Sequence, residues 1–208
     1  MANVIKMKNS SIENIETAAR EDAGFEKILK FKKGEYSIQD QSIPLGSEYL
    51  AHTSAWTKCW IKFADGKVVE RKVYRVALGE KPPGREELDD LDRDEWPEGL
   101  DGEPSDPWVY QFLLPLEIMA TGEVIVFVTA SRGGRTAVAD LCTNYVKRAK
   151  KVANGGQPII KLSKADMTSP RFGKVPRPLF EIVCWDDDVE FLGPPLVTSE
   201  GDFDEVPF

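Results

Sequence analysis

The 208-residue chain contains one histidine, His52, and three widely spaced cysteines, Cys59, Cys142 and Cys184. A single histidine excludes most zinc sites, His-based triads and His acid–base pairs, because these sites need further histidines or a matched partner. An odd number of cysteines without a CxxC pair argues against a disulfide framework and favours free thiols in a reducing cytosol. We therefore expect a cytoplasmic protein without a metal site or cofactor, in which His52 is packed or surface-exposed.

Long apolar segments are also missing. No run approaches the ~20 residues that span a bilayer. The N-terminal MANVIKMKNSSIENIE has neither a long apolar stretch nor a small-residue cleavage site. We therefore expect no membrane association and no secretory signal.

The chain as a whole has no excess of basic charge, but the part outside two acidic segments, which we call the body, does. The formal net charge is −8. Residues 79–107 contain 12 acidic and 3 basic residues, and residues 186–208 contain 8 acidic and no basic ones. The remaining residues therefore carry a net charge of +9. A basic body with two acidic appendages is compatible with an anionic partner that the overall charge conceals.

Hydrophobic periodicity predicts a mainly β chain with one long helix. Ser131 can cap that helix, and Asp65-Gly66 predicts a hairpin turn. The predicted strands are 56–63, 68–78, 108–118, 123–130, 158–162 and 179–185, and the helix is 131–152. When 108–118 and 123–130 are counted together as one hairpin, the helix lies between the third and fourth strands of a five-stranded barrel, which is the OB-fold order and the fold that we expect.

The same pattern predicts three parts of the chain. Residues 1–53 form an N-terminal helix, near 10–22, and an extended arm or short strands packed on the barrel. Residues 54–193 form the OB-like nucleic-acid-binding domain, in which 79–107 is a flexible acidic insertion. Residues 194–208 form a disordered acidic tail.

The last seven residues, DFDEVPF, are the most specific motif in the chain. They resemble the C-terminus of bacterial single-stranded-DNA-binding proteins (SSB), which often end in DFDDDIPF. The resemblance implies that a terminal aromatic ring enters an apolar pocket on a replication, recombination or repair enzyme, while carboxylates pair with Arg or Lys around it. The matching residues, expected to bind these partners, are Asp202, Phe203, Asp204, Glu205, Val206, Pro207 and Phe208.

The resemblance covers the tail alone. The family's usual barrel motifs are not recognisable in the body, and the acidic insertion is foreign to the family. The chain looks closer to a divergent phage or prophage single-stranded-DNA-binding protein than to the housekeeping one.

The strand WTKCWIKF places Trp56, Lys58, Trp60 and Lys62 on one face, because side chains alternate across a strand. Aromatic rings beside cations hold single strands by stacking and phosphate contact. The alternative is that another element covers the tryptophans and the lysines lie at its rim.

On the next strand either pair of side chains could extend the site, Arg71 with Arg75 or Lys72 with Tyr74. Trp108, Tyr110 and Phe112 share a face that continues to Leu114, which favours core packing.

Residues 131–135, SRGGR, offer Arg132 and Arg135 at a helix start. Backbone N–H groups there favour anions such as a DNA phosphate. The two glycines equally suit a tight turn between strand and helix, and both interpretations stay open.

No catalytic motif is evident, so we expect a protein that is not an enzyme. Asp65 with Glu70-Arg71-Lys72 loosely resembles the PD-(D/E)xK nucleases, but an ordinary charged hairpin explains these residues better. The sequence therefore predicts a binder of single-stranded DNA in DNA replication, recombination or repair, which recruits enzymes through its tail. The alternative is an interaction protein or DNA mimic that uses the tail without binding DNA. A homo-oligomer stays open.

Overall fold

A computed structural model describes residues 27–99, 102–152, 156–169 and 173–187. These residues form one ten-stranded sheet and one long α-helix. The mainly β composition with one long helix is confirmed, whereas the expected count of five strands is too low. The strands are β1 (Ile28–Lys32), β2 (Glu35–Ile38), β3 (Gln41–Ile43), β4 (Glu48–Ala51), β5 (Thr57–Ala64), β6 (Lys67–Arg75), β7 (Trp108–Ile118), β8 (Val124–Thr129), β9 (Gln157–Ser169) and β10 (Gly173–Asp186), and the helix is α1 (Arg132–Ala149).

The β5–β6 hairpin forms where the sequence predicts it. Asp65 and Gly66 have φ values of 51° and 75°. Positive φ at both central residues is the type I′ geometry, whose twist matches that of the flanking strands. A register shift next to Lys62 and Phe63 marks a β-bulge near the turn.

Strand β7 is the centre of the sheet. One of its edges pairs with β8, and the other pairs with β5 and, further along, with β4. The sheet therefore divides into an arm of β5 and β6 and a longer arm of β4, β9 and β10. On the other side of β8, β1 pairs in parallel with it and leads on to β2 and β3.

The turn between β4 and β5 is held by buried polar groups. Gln157 Oε1 accepts hydrogen bonds of 2.9 Å from both the backbone N–H and the hydroxyl of Thr53. His52 is buried, and its Nε2 lies 3.0 Å from Glu117 Oε2. Burial lowers the pKa of His52 below its ordinary value, so the ring is neutral at pH 7 and donates to the carboxylate. This histidine is therefore structural.

The sheet curls into an open half-barrel, and the described residues form two hydrophobic clusters, the larger of which lies inside the curl. The hydroxyl of Tyr36 on β2 donates to the carbonyl of Ser163 on β9 at 2.9 Å and lies 3.3 Å from that of Leu179 on β10. Because β2 and β9 belong to distant parts of the strand order, this contact draws the two ends of the sheet together. The core inside the curl includes Leu29, Leu114, Leu116, Phe127, Ile160 and Leu162, all fully buried.

Helix α1 packs on this core through Ala137, Val138 and Leu141. It begins at a Ser131 cap, whose hydroxyl accepts a 3.0 Å hydrogen bond from the N–H of Gly134. This satisfies one of the donors that a helix start leaves free. Lys147 and Arg148 occupy the last turn, where the helix dipole favours cations.

Strands β9 and β10 are far longer than the segments predicted for them. Their pairing runs from Gln157 with Asp186 to Ser169 with Gly173, across residues that lie between the two predicted segments. Pro176 and Pro178 fit because β10 is an edge strand, and a proline whose missing N–H would face outward costs no ladder hydrogen bond. In the described part of the chain, no helix is long and apolar enough to cross a membrane.

Candidate nucleic-acid interface

Three cross-strand rows on β6, β5 and β7 form the candidate site. Directly paired residues of antiparallel strands share a face. The register gives, from β6 to β5 to β7, the rows Tyr74–Lys58–Phe112, Lys72–Trp60–Tyr110 and Glu70–Lys62–Trp108. We call this face, with Trp56 and Arg135, the aromatic–lysine surface.

Aromatic rings run continuously across this surface. The rings of Trp60 and Tyr110 are 4.8 Å apart, those of Tyr110 and Phe112 are 5.6 Å apart, and those of Phe112 and Trp56 are 5.0 Å apart. Trp56, Trp60 and Tyr110 are half-buried, so each ring keeps some solvent exposure. Phe112 and Trp108 are only 9% and 3% exposed. The expectation of core packing therefore holds for these two residues and in part for Tyr110, which is half-buried and packs against the core.

Cations lie over these rings. Lys58 Nζ is 5.4 Å from the ring centre of Trp56, Lys72 Nζ is 4.7 Å from that of Trp108, and the Arg135 guanidinium is 5.6 Å from that of Tyr110. Such cation–π contacts orient the charged groups without neutralising them. Lys58 and Arg135 can therefore still meet an anion in solvent, whereas Lys72 Nζ also lies 3.2 Å from the Glu70 carboxylate.

A shallow pocket of about 360 Å³ lies at the end of the middle row, between β7 and the start of α1. Trp60, Tyr110 and Arg135 line one part of it, and Ser105 and Asp106 another. The pocket combines an aromatic wall with hydrogen-bonding groups, which is the chemistry that a flat heteroaromatic ring requires.

The structure brings most of the predicted DNA-contact residues together. Trp56, Lys58, Trp60, Lys62, Lys72, Tyr74 and Arg135 all lie on the aromatic–lysine surface. Of the two pairs left open on the second strand, Lys72 and Tyr74 are the ones that share a face with Lys58 and Trp60.

Arg71, Arg75 and Arg132 lie elsewhere. Arg71 pairs with Ile61 and Arg75 with Thr57, so both residues are on the opposite face of the sheet. Burial there lowers the pKa of Arg71 below its ordinary value. Arg132 is exposed at the first position of α1.

The two glycines at the helix start have a packing role. A Cβ on Gly134 would overlap the Thr129 side chain, and one on Gly133 would come within 2.8 Å of Arg177 Cβ. The absence of side chains lets α1 approach β8 and β10 closely. Packing therefore accounts for Gly133 and Gly134 without a bound anion.

The acidic insertion lies against the third row. We call its described residues, 80–99 and 102–107, the acidic flap. Lys62 Nζ is 2.9 Å from a carboxylate oxygen of Asp89 and 2.6 Å from one of Asp90. The indole N–H of Trp108 donates to Asp89 Oδ1 at 2.7 Å, and that of Trp60 donates to the carbonyl of Pro83 at 3.1 Å. One end of the aromatic–lysine surface is therefore covered.

The flap is internally braced. The Arg85 guanidinium donates to the carboxylate of Asp106 and to the carbonyls of Asp89 and Asp90, at 2.7–3.0 Å. The indole of Trp96 donates to the same Asp90 carbonyl at 2.8 Å. These bonds fix the backbone from which the two carboxylates reach Lys62.

The ion pairs shift the pKa values of their partners. Hydrogen bonds that Lys62 donates to Asp90 and then to Asp89 raise the pKa of Lys62, and hydrogen bonds that Asp89 accepts from Lys62 and then from Trp108 lower the pKa of Asp89. Lys62 and Asp89 are therefore charged at pH 7. All three groups remain accessible, since the side chains of Lys62, Asp89 and Asp90 are 20%, 55% and 41% exposed.

Two parts of this site were not predicted from sequence. Tyr110 belongs to it because β7 pairs with β5 in a register that only the folded sheet establishes. The contacts of Asp89 and Asp90 with Lys62 join residues about 27 positions apart. The sequence signal that could have indicated these contacts is the opposite charge of the acidic insertion and of the lysine-bearing strand β5.

The described residues contain no group of three or more His, Cys, Asp or Glu side chains that could hold a metal ion. The Glu70 carboxylate, which belongs to the nuclease-like pattern, lies 3.2 Å from Lys72 Nζ. The tail residues Asp202, Phe203, Asp204, Glu205, Val206, Pro207 and Phe208, and the helix predicted near 10–22, lie outside the described residues.

No protein family, no curated protein and no solved structure matches this chain.

Proposed function

We propose that the chain binds single-stranded DNA through the aromatic–lysine surface without strong sequence preference. The observation that carries this proposal is the row Lys72–Trp60–Tyr110, in which two half-buried rings 4.8 Å apart lie beside Lys72 and Arg135. Bases stack on exposed aromatic faces, while neighbouring cations contact the phosphates. Because every base has a π face, such a surface does not select sequence.

In this proposal each strand and the helix supply different groups to the DNA-binding site. Strand β5 supplies the stacking ring of Trp60 and the cation Lys58, and β7 adds Tyr110. The start of α1 supplies Arg135, whose guanidinium borders the shallow pocket. The pocket would receive one base, and the lysines would follow the backbone. Stacking contributes about 1–3 kcal/mol per base in comparable sites.

The tail gives the proposal its cellular setting. The similarity of DFDEVPF to SSB termini suggests that the protein acts in DNA replication, recombination or repair, in a phage or its bacterial host, and recruits partner enzymes. DNA binding and recruitment would use separate parts of the chain.

One observation favours a second candidate function. Asp89 and Asp90 occupy the positions around Lys62 that DNA phosphates would take. A flap that presents carboxylates in this way resembles a DNA mimic, and the chain would then dock on host enzymes through its tail without binding DNA.

A salt series separates the two functions. Tryptophan fluorescence of the full chain is titrated with oligo(dT) at several salt concentrations. DNA binding predicts quenching, with an affinity that falls by roughly 0.7 log units per log unit of salt for each phosphate contact. The absence of quenching and of binding at low salt would reject the first function and leave the second.

A further inference from the structure

The flap and a DNA strand would require the same groups. Lys62 Nζ has two carboxylate neighbours within 2.9 Å, both from the flap. The indole N–H groups of Trp60 in the second row and of Trp108 in the third row also donate to flap oxygens. A phosphate that approached Lys62 would have to replace Asp89 and Asp90.

We propose that the acidic flap is a built-in competitor of DNA, and that binding of a single strand exchanges the Lys62–carboxylate contacts for Lys62–phosphate contacts. This inference rests on the DNA-binding function proposed above. On this proposal the 79–107 insertion regulates the DNA-binding site. The flap does so by lowering the affinity for weakly bound or short strands.

The geometry makes such an exchange feasible. Asp89 and Asp90 are about half exposed, and accessible ion pairs are weak and screened by salt. The bracing bonds of Arg85 hold flap backbone and Asp106, so they do not depend on the Lys62 contact. The carboxylates can release Lys62 by side-chain rotation while the flap keeps its fold.

The flap also differs from a general repulsive surface. Two other acids of the flap, Asp94 and Glu95, are exposed and share its charge, but these two make no ion pair among those found in the described residues. Competition therefore predicts an effect that belongs to Asp89 and Asp90 in particular, whereas repulsion would follow net charge wherever it lies.

The experiment measures oligo(dT) affinity of the full chain with Asp89→Asn/Asp90→Asn. Asparagine keeps an oxygen that can accept from Trp108 but removes the charge. We expect the affinity to rise about 3- to 30-fold, the range for loss of two exposed ion pairs. The matched control, Asp94→Asn/Glu95→Gln, makes the same change in net charge and should alter the affinity by less than about twofold.

Lys62→Ala completes a double-mutant cycle. Competition predicts that Lys62→Ala weakens DNA binding more in the Asp89→Asn/Asp90→Asn protein than in the wild type, because only the wild-type lysine must leave carboxylates to reach phosphate. Equal effects in the two backgrounds, or equal gains from the two double variants, would overturn the competitor while DNA binding stands. If neither the wild type nor any variant binds oligo(dT), the proposed function itself is rejected.

Discussion

At the scale of single residues, Trp60 joins all parts of the candidate site. Its ring lies against Tyr110, its neighbour on β6 is Lys72, and its indole N–H reaches the flap at Pro83. The side chain is therefore held mostly by protein and keeps a smaller accessible part. This balance suits a residue that offers one face of its ring to a base while the rest fixes its orientation.

Replacement of Trp60 by alanine should lower the affinity for oligo(dT) by about 10- to 100-fold, since one stacking platform is lost. Trp60→Phe, which keeps a ring without the N–H, should retain most of the affinity. Fluorescence anisotropy of labelled oligo(dT) measures both.

Trp185→Ala is the control for this experiment. Trp185 lies near the end of β10, where its ring contacts the Arg148 guanidinium at 4.9 Å, outside the aromatic–lysine surface. Equal losses for Trp60→Ala and Trp185→Ala would place the DNA elsewhere on the protein.

At the scale of elements, the start of α1 shows how packing and the site depend on each other. Gly134 lies directly against Thr129 at the end of β8, and Arg135 follows it over Tyr110. The close approach of helix and strand therefore sets where the Arg135 guanidinium lies. A small change in the docking of α1 would move the cation away from the surface.

Gly134→Ala should destabilise the protein, although alanine ordinarily favours a helix by about 1 kcal/mol over glycine. The added methyl overlaps Thr129, and overpacking typically costs about 1–3 kcal/mol. Urea unfolding followed by circular dichroism measures the change. The double variant Thr129→Ala/Gly134→Ala should recover part of the loss, and a stabilising Gly134→Ala would contradict the packing described.

Elements with local causes were predictable from the sequence. The Asp65-Gly66 turn and the Ser131 cap depend on neighbouring residues alone, and the alternation of WTKCWIKF gives the correct inner and outer faces of β5. The length of β9 and β10 was missed because it depends on each strand extending the other. The position of the flap was missed because it depends on contacts across the sheet.

At the scale of the whole molecule, charge is separated into three parts. The body carries +9, while the insertion and the C-terminal segment carry the negative excess. The structure shows the insertion neutralising part of the body at Lys62. The net charge of the chain therefore does not describe the charge of its body, and the DNA binding proposed above should depend strongly on salt.

Removal of Phe208 should leave DNA affinity unchanged or slightly higher and abolish recruitment, because the terminal ring and carboxylate are the proposed docking group. DNA affinity is measured as above, and recruitment by anisotropy with a bacterial enzyme that binds SSB tails. A collapse of DNA affinity would show that the tail belongs to the fold, and intact recruitment would show that another segment docks.

The parallel pairing of β1 with β8 has a consequence for how the protein is made. Leu29 pairs with Phe127, so β1 leaves the ribosome long before its partner strand has been made. Contacts of such sequence separation slow folding, because a large loop must close before they form. We therefore expect slow refolding in vitro and a transient need for chaperones during synthesis. The β5–β6 hairpin should form early, because its contacts are local.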